Sequence, residues 1–148
     1  MLAIFMKLKL VSIFITKLFA FLFLILLVAC ATPTSQFNEA QKLLSDGKTV
    51  EAKVVLNRIC AQDYGAGCSV LGGVLHQEQQ NDYQKYYQKG CDLKDGLGCF
   101  GLASIQYRKR ENENFSKNIN LSCAYGFQEA CRVVEKIKTD NLETKTKR

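Results

Sequence analysis

The chain has 148 residues, a formal net charge of +6, 47% hydrophobic residues, seven Cys, one His, one Pro and no Trp. That length fits one domain, too little Gly and Pro is present for a collagen or a linker, and the apolar content excludes a disordered chain. Seven Cys in so short a chain point either to an oxidising compartment or to a metal.

The first element is a leader. Lys7, Lys9 and Lys17 precede the apolar run Leu18 to Val28. As a helix that run rises about 16 Å, roughly half of a ~30 Å hydrocarbon core. It is short for an anchor and right for the apolar region of a signal peptide, and Lys17 interrupts any longer membrane span. The run ends in Leu27-Val28-Ala29-Cys30, which resembles the bacterial lipobox. The resemblance implies cleavage before Cys30, a diacylglyceryl group on its thiol and an acylated new amino terminus. Several acyl chains together anchor firmly. Ala31 after the Cys, in place of Asp, favours the outer membrane. Met6 is an alternative start.

The expected organisation is a signal peptide over 1–29, a lipidated tether over 30–36, a folded domain over 37–138 and a polar tail over 139–148 that frays. Three lysines leave with the signal, so the mature 119 residues carry +3. That charge does not suggest nucleic acid as a partner.

With Cys30 assigned to lipid, six Cys remain as Cys60/Cys68, Cys91/Cys99 and Cys123/Cys131. Each pair encloses seven residues, and the pairs recur after 31 and then 32 residues. A constant period in this range signals stacked supersecondary units. Ahead of the first Cys of each pair lie Ala52, Val55, Leu56 and Ile59; Tyr83, Tyr86, Tyr87 and Gly90; and Phe115, Asn118, Ile119 and Ser122. Their spacing is one face of an α-helix. A second helix opens at the second Cys, with Leu71, Gly72 and Leu75, or Leu102, Ala103 and Gln106, on its inner face. The small Gly72 or Ala103 lets a neighbouring helix approach. Phe37 to Leu44 and Val50 to Cys60 form an earlier pair around the turn Ser45-Asp46-Gly47-Lys48. His76 to Asp82 and Arg108 to Asn114 are further turns, and Gln128 to Lys138 is a closing helix. The predicted fold is all-α, three αα-hairpins and a final helix.

A single helix cannot hold both Cys of a pair. Eight residues at about 1.5 Å each separate the Cα atoms by roughly 12 Å, whereas a disulfide needs less than about 7 Å. The chain must turn between them. Gly65 and Gly67 allow this in the first copy and Gly96 and Gly98 in the second; the third has only Gly126. Three identical spacings favour local pairing among the fifteen possible connectivities. Structural zinc takes ligands two to four residues apart, often with His; seven intervening residues and the lone His76 do not fit, so no metal or other cofactor is expected.

The run Gly90-Cys91-Asp92-Leu93-Lys94-Asp95-Gly96-Leu97-Gly98-Cys99, followed by Leu102, is very similar to the repeat signature of the Helicobacter cysteine-rich proteins. These are a disulfide-bridged branch of the Sel-like repeats, cousins of tetratricopeptide repeats. The resemblance covers about Gln36 to Lys138, though the turns His76 to Asp82 and Arg108 to Asn114 lack the family's Gly-rich stretch. It implies a solenoid of αα-hairpins stapled by disulfides, with a concave face that binds proteins or peptides. Some members are described as penicillin-binding proteins and weak β-lactamases.

A serine β-lactamase needs a nucleophile, a base and an oxyanion hole. The chain's one Ser-x-x-Lys match is Ser45 with Lys48, on an expected exposed turn and without a Ser-Asp-Asn or Lys-Thr-Gly element. One His cannot furnish a metallo-β-lactamase site. The Cys spacing is unlike a redox pair two residues apart, so it reads as structural. His76 reads as a solvated helix-end residue, Tyr83 and Tyr87 as packing, Tyr86 as half-exposed at a groove edge, and Arg108-Lys109-Arg110 as a solvated turn. The expected function is a lipid-anchored, exported, monomeric scaffold of the cell envelope that binds a protein, peptide or cell-wall (peptidoglycan) fragment. The alternative is a β-lactam hydrolase.

Overall fold

A computed structural model describes Lys17 and residues 32–146, with side chains as far as Asp140. Apart from Lys17, the segment read as signal peptide lies outside the described residues, as does Cys30. From Pro33 onward the chain forms one compact unit. It contains α1 (Pro33–Ser45), α2 (Thr49–Ala61), α3 (Gly65–Gln77), α4 (Tyr83–Asp92), α5 (Gly96–Lys109), α6 (Asn112–Ala124) and α7 (Gln128–Thr146). The fold is all-helical, with no strand among the described residues. Each helix packs against the next, giving hairpins α1/α2, α3/α4 and α5/α6 with α7 closing the row; α3 also packs on α5.

Two boundaries differ from the sequence expectation. Residues 33–36, read as tether, are helix. Pro33 is the first helical residue, where its missing N–H costs nothing and its fixed φ suits the helix. The tail read as frayed from 139 continues α7 to Thr146, with no Gly or Pro to stop it.

The helices bury the expected stripes. Ala52, Val55, Leu56 and Ile59 are buried on α2, and Leu71 and Leu75 on α3. Tyr87 packs with Leu102 and Ile105, and Ile119 with Ala103 and Ala130. The polar members of the third copy have partners. Asn118 Nδ2 donates to Gln106 Oε1 at 2.8 Å, so the polar residues on the inner faces of α5 and α6 meet each other. Buried Ser122 donates from Oγ to the Gly96 carbonyl at 2.7 Å. Each bond satisfies a group whose burial is otherwise costly.

The helices are joined by tight turns of one kind. One residue in each turn has positive φ: Gly47, Asp63, Gln79, Lys94, Arg110 and Gly126. The steps between them are 16, 16, 15, 16 and 16 residues. In every turn the next residue's N–H reaches the carbonyl five positions back, at 2.8–3.1 Å; Tyr64 to Ile59 and Asp95 to Gly90 are examples. This is the Schellman closure of a helix C-terminus. The single short step, through the ten-residue α4, explains why the Cys period is 31 in one interval and 32 in the next.

Disulfides join Cys60 to Cys68, Cys91 to Cys99 and Cys123 to Cys131, each with Cα atoms 4.6 Å apart. Each clasps the end of one hairpin to the start of the following helix. The first Cys stands three residues before the positive-φ position and the second five after it. The glycines between the Cys do not make these turns: Asp63 and Lys94 do, and only in the third copy does a glycine, Gly126, take that place. Gly98 instead permits close approach. A Cβ there would stand 2.6 Å from Cys91 N and 2.8 Å from the Tyr87 carbonyl oxygen.

Candidate functional site

A groove of about 610 Å³ is formed by α5, α6 and α7, with His76 of α3 among its lining residues. Helix α5 contributes Phe100, Ala103, Ser104, Tyr107 and Arg108. Their spacing is a second stripe on α5, rotated away from the buried stripe of Leu102 and Ile105. Helix α7 contributes Val133, Lys136, Ile137 and Asp140 at the same helical spacing, and α6 adds Phe115 and Ile119. The volume falls within the range of small-ligand and peptide sites.

The groove is polarised along its length. Phe100 packs on Phe127, just ahead of α7, with ring centroids 4.9 Å apart, so Phe100 and Val133 mark an apolar end. Tyr107 packs on Phe115 at 5.5 Å further along the wall and is 69% exposed. Arg108, in the last turn of α5, and Asp140, two turns past Val133 on α7, make the opposite end charged, and Lys136 stands on the wall between them. Val133 and Asp140 are seven positions apart, about 10 Å along the helix, which is the span of about three extended residues.

His76 sets the charged end. Its ring stacks on Tyr83, centroids 4.5 Å apart, and meets Tyr87 edge-on at 6.3 Å. Arg108 Nη2 donates to His76 Nε2 at 3.1 Å. A guanidinium has no acceptor, so in this contact Nε2 holds a lone pair and the ring proton is on Nδ1. His76 is thus half-buried in an aromatic stack, where the sequence suggested a solvated residue. Burial pushes the Tyr87 phenol above its ordinary range, opposed by the nearby charge of Arg108.

The other residues singled out in the sequence lie elsewhere. Tyr86 is not on the groove: it packs on the core around Leu56 and Leu71, with Lys85 Nζ 4.9 Å from its ring centroid. Arg108, expected in a solvated turn, stands in the last turn of α5 and lines the groove; like Lys109 and Arg110 it is exposed. Ser45 ends α1 and donates from Oγ to the Lys42 carbonyl at 2.7 Å; Ser45 and Lys48 are both exposed. Neither lines the groove. Among the described residues no group of three or more His, Cys, Asp or Glu is arranged to hold a metal ion. Sequence reading missed Phe100, Tyr107 and Ile137; the signal for the first two was the second stripe on α5, visible only once the first stripe is assigned to the core, and for Ile137 the spacing Ala130, Val133, Val134, Ile137 on α7.

Fold and site together define an all-helical repeat protein, clasped by disulfides, with a concave groove near its C-terminal end. Comparison with protein-family models, with curated proteins and with solved structures returns no match. Three disulfides belong to an oxidising, extracytoplasmic compartment. No helix among the described residues is long and apolar enough to cross a membrane.

Proposed function

We propose that this protein is an exported, lipid-anchored repeat module that binds a protein, peptide or cell-wall fragment, and that it belongs to the Sel-like branch typified by the Helicobacter cysteine-rich proteins. The groove between α5, α6 and α7 carries this reading. It exposes Tyr107 and Ile137, large apolar side chains that a solvated wall has no need of, beside charged groups able to fix a ligand's orientation. The lipobox at Leu27 to Cys30 supports the anchor, and the disulfides support export.

The test is retention. Immobilised oxidised protein is challenged with envelope proteins, with their peptides and with digested peptidoglycan, beside a variant whose groove is filled by Ser104→Trp. Material held by the native chain and released by the variant identifies the ligand class. Equal retention by both overturns the groove reading. Intact mass of protein taken from membranes reads the acyl chains on Cys30; an unmodified thiol there overturns the anchor.

A further inference from the structure

The groove's charges point to the chemistry of its occupant. Arg108 and Lys136 both line it, against one acid, Asp140. The ion pairs of the described residues are Lys53 with Glu78, Lys85 with Asp82, Lys89 with Asp63 and Arg132 with Glu129. Neither groove cation has a carboxylate partner among the described residues. Arg108 is nonetheless held in place, because His76 accepts one of its N–H groups and is itself stacked on Tyr83. A guanidinium fixed by a neutral acceptor keeps its full charge and four further donors for a ligand. It presents them at the end of a trough whose far end, Phe100 and Val133, is apolar.

We propose that the groove takes a short extended peptide segment of three to four residues with an apolar side chain at one end and a carboxylate at the other. The apolar side chain lies over Phe100, Ala103 and Val133, and the carboxylate pairs with Arg108. The inference rests on the binding role assigned to this groove and adds the ligand's charge. Two sources supply that carboxylate, an Asp or Glu side chain and a peptide's own C-terminus. A planar guanidinium accepts either in a two-point contact.

The experiment uses the full oxidised chain in detergent micelles and titration calorimetry with three acetylated tetrapeptides. These are Gly-Leu-Ala-Glu amide, Gly-Leu-Ala-Gln with a free terminal carboxylate, and Gly-Leu-Ala-Gln amide. One or both carboxylate peptides bind about tenfold or more tighter than the neutral one, the scale of a charge-assisted contact; which of them binds identifies the source. Arg108→Gln erases that difference. Ser104→Trp removes binding of all three. Circular dichroism and the absence of free thiols at the six repeat cysteines confirm that each variant is folded. Where Ser104→Trp does not fold, Ile137→Asp at the exposed wall places a carboxylate in the trough and weakens the carboxylate peptides selectively. Equal affinity for all three peptides, an Arg108→Gln variant that still prefers the carboxylate, or no binding at all overturns the proposal. Equal affinities that Ser104→Trp abolishes leave the groove reading standing and sink only its charge. Sedimentation that shows dimers of the native chain, lost in Ser104→Trp, makes a second copy the occupant and also overturns the proposal.

Discussion

At the residue scale, the turns carry strain that the sequence could remove. Gln79 and Lys94 hold φ of 57° and 61°, a conformation that costs a side-chain-bearing residue about 1–2 kcal/mol and glycine nothing. Glycine also gains freedom in the unfolded chain, which offsets part of the benefit. Gln79→Gly and Lys94→Gly are each expected to raise stability by about 0.5–1 kcal/mol, read as a higher urea midpoint with an unchanged slope. Asp63 gains less, because its carboxylate pairs with Lys89 at 2.8 Å. Gly101→Ala goes the other way. Its Cβ would stand 2.5 Å from the Tyr87 ring, and overpacking of this kind costs about 1–3 kcal/mol. Here the sequence was misleading for a physical reason. Glycines lying between paired cysteines look like turn residues, yet Schellman closure is a backbone pattern that Asp63 and Lys94 also satisfy, and Gly98 is retained for space. Tyr87 adds a pH effect. Burial raises its phenol, so the folded state holds that proton more tightly than the unfolded state does. The resulting stability is present below the ordinary tyrosine pKa of about 10 and is lost as pH rises through the folded value. Tyr87→Phe is expected to flatten the fall in urea midpoint above pH 10.

At the element scale, the six turns repeat one frame, and what fills it alternates. In the turns between hairpins the positions three before and five after the positive-φ residue are Cys. In the α5/α6 turn the same positions are Tyr107 and Phe115, whose rings pack at 5.5 Å, and in the α1/α2 turn they are Leu44 and Ala52. The backbone bonds are shared: Lys48 N–H to the Leu43 carbonyl and Ala52 N–H to the Lys48 carbonyl, as Tyr64 N–H reaches Ile59 and Cys68 N–H reaches Tyr64. Leu44→Cys with Ala52→Cys is therefore expected to oxidise to a fourth bridge of the same ring size. In the chain-entropy account such a ring stabilises by about 2.5 kcal/mol, less the packing lost with the half-buried Leu44. Intact mass of the oxidised variant checks the bond, and thermal unfolding checks the gain. The hairpins and their buried faces were legible because helical periodicity and the Cys period are local. The groove was not, since Phe100, Phe115 and Ile137 come from three helices, and the spacing within one helix does not say which neighbours will share a wall with it. Only stacking brings them together.

At the scale of the whole molecule, the row of helices has no central core, and each hairpin depends on its neighbours, as in other repeat stacks. Three rings at about 2.5 kcal/mol each give roughly 7 kcal/mol, against the 5–15 kcal/mol typical of an entire domain. Reduction by dithiothreitol is accordingly expected to unfold the chain or bring its urea midpoint close to zero. The staples also differ in what they hold. Cys123–Cys131 ties α7 to α6, and α7 is one wall of the groove; Cys60–Cys68 ties α2 to α3, whose only contribution to the groove is His76. Nearest-neighbour stacking makes the loss of either bond a local event first. The double substitution Cys123→Ser/Cys131→Ser should leave α2 to α5 protected while α7 amides exchange faster by tenfold or more, with groove binding weakened in step. Cys60→Ser/Cys68→Ser should expose α1 and α2 and leave α7 protected and the groove occupied. Hydrogen exchange resolved by helix distinguishes these outcomes from a fold that melts as one body, in which both pairs would raise exchange uniformly from α1 to α7.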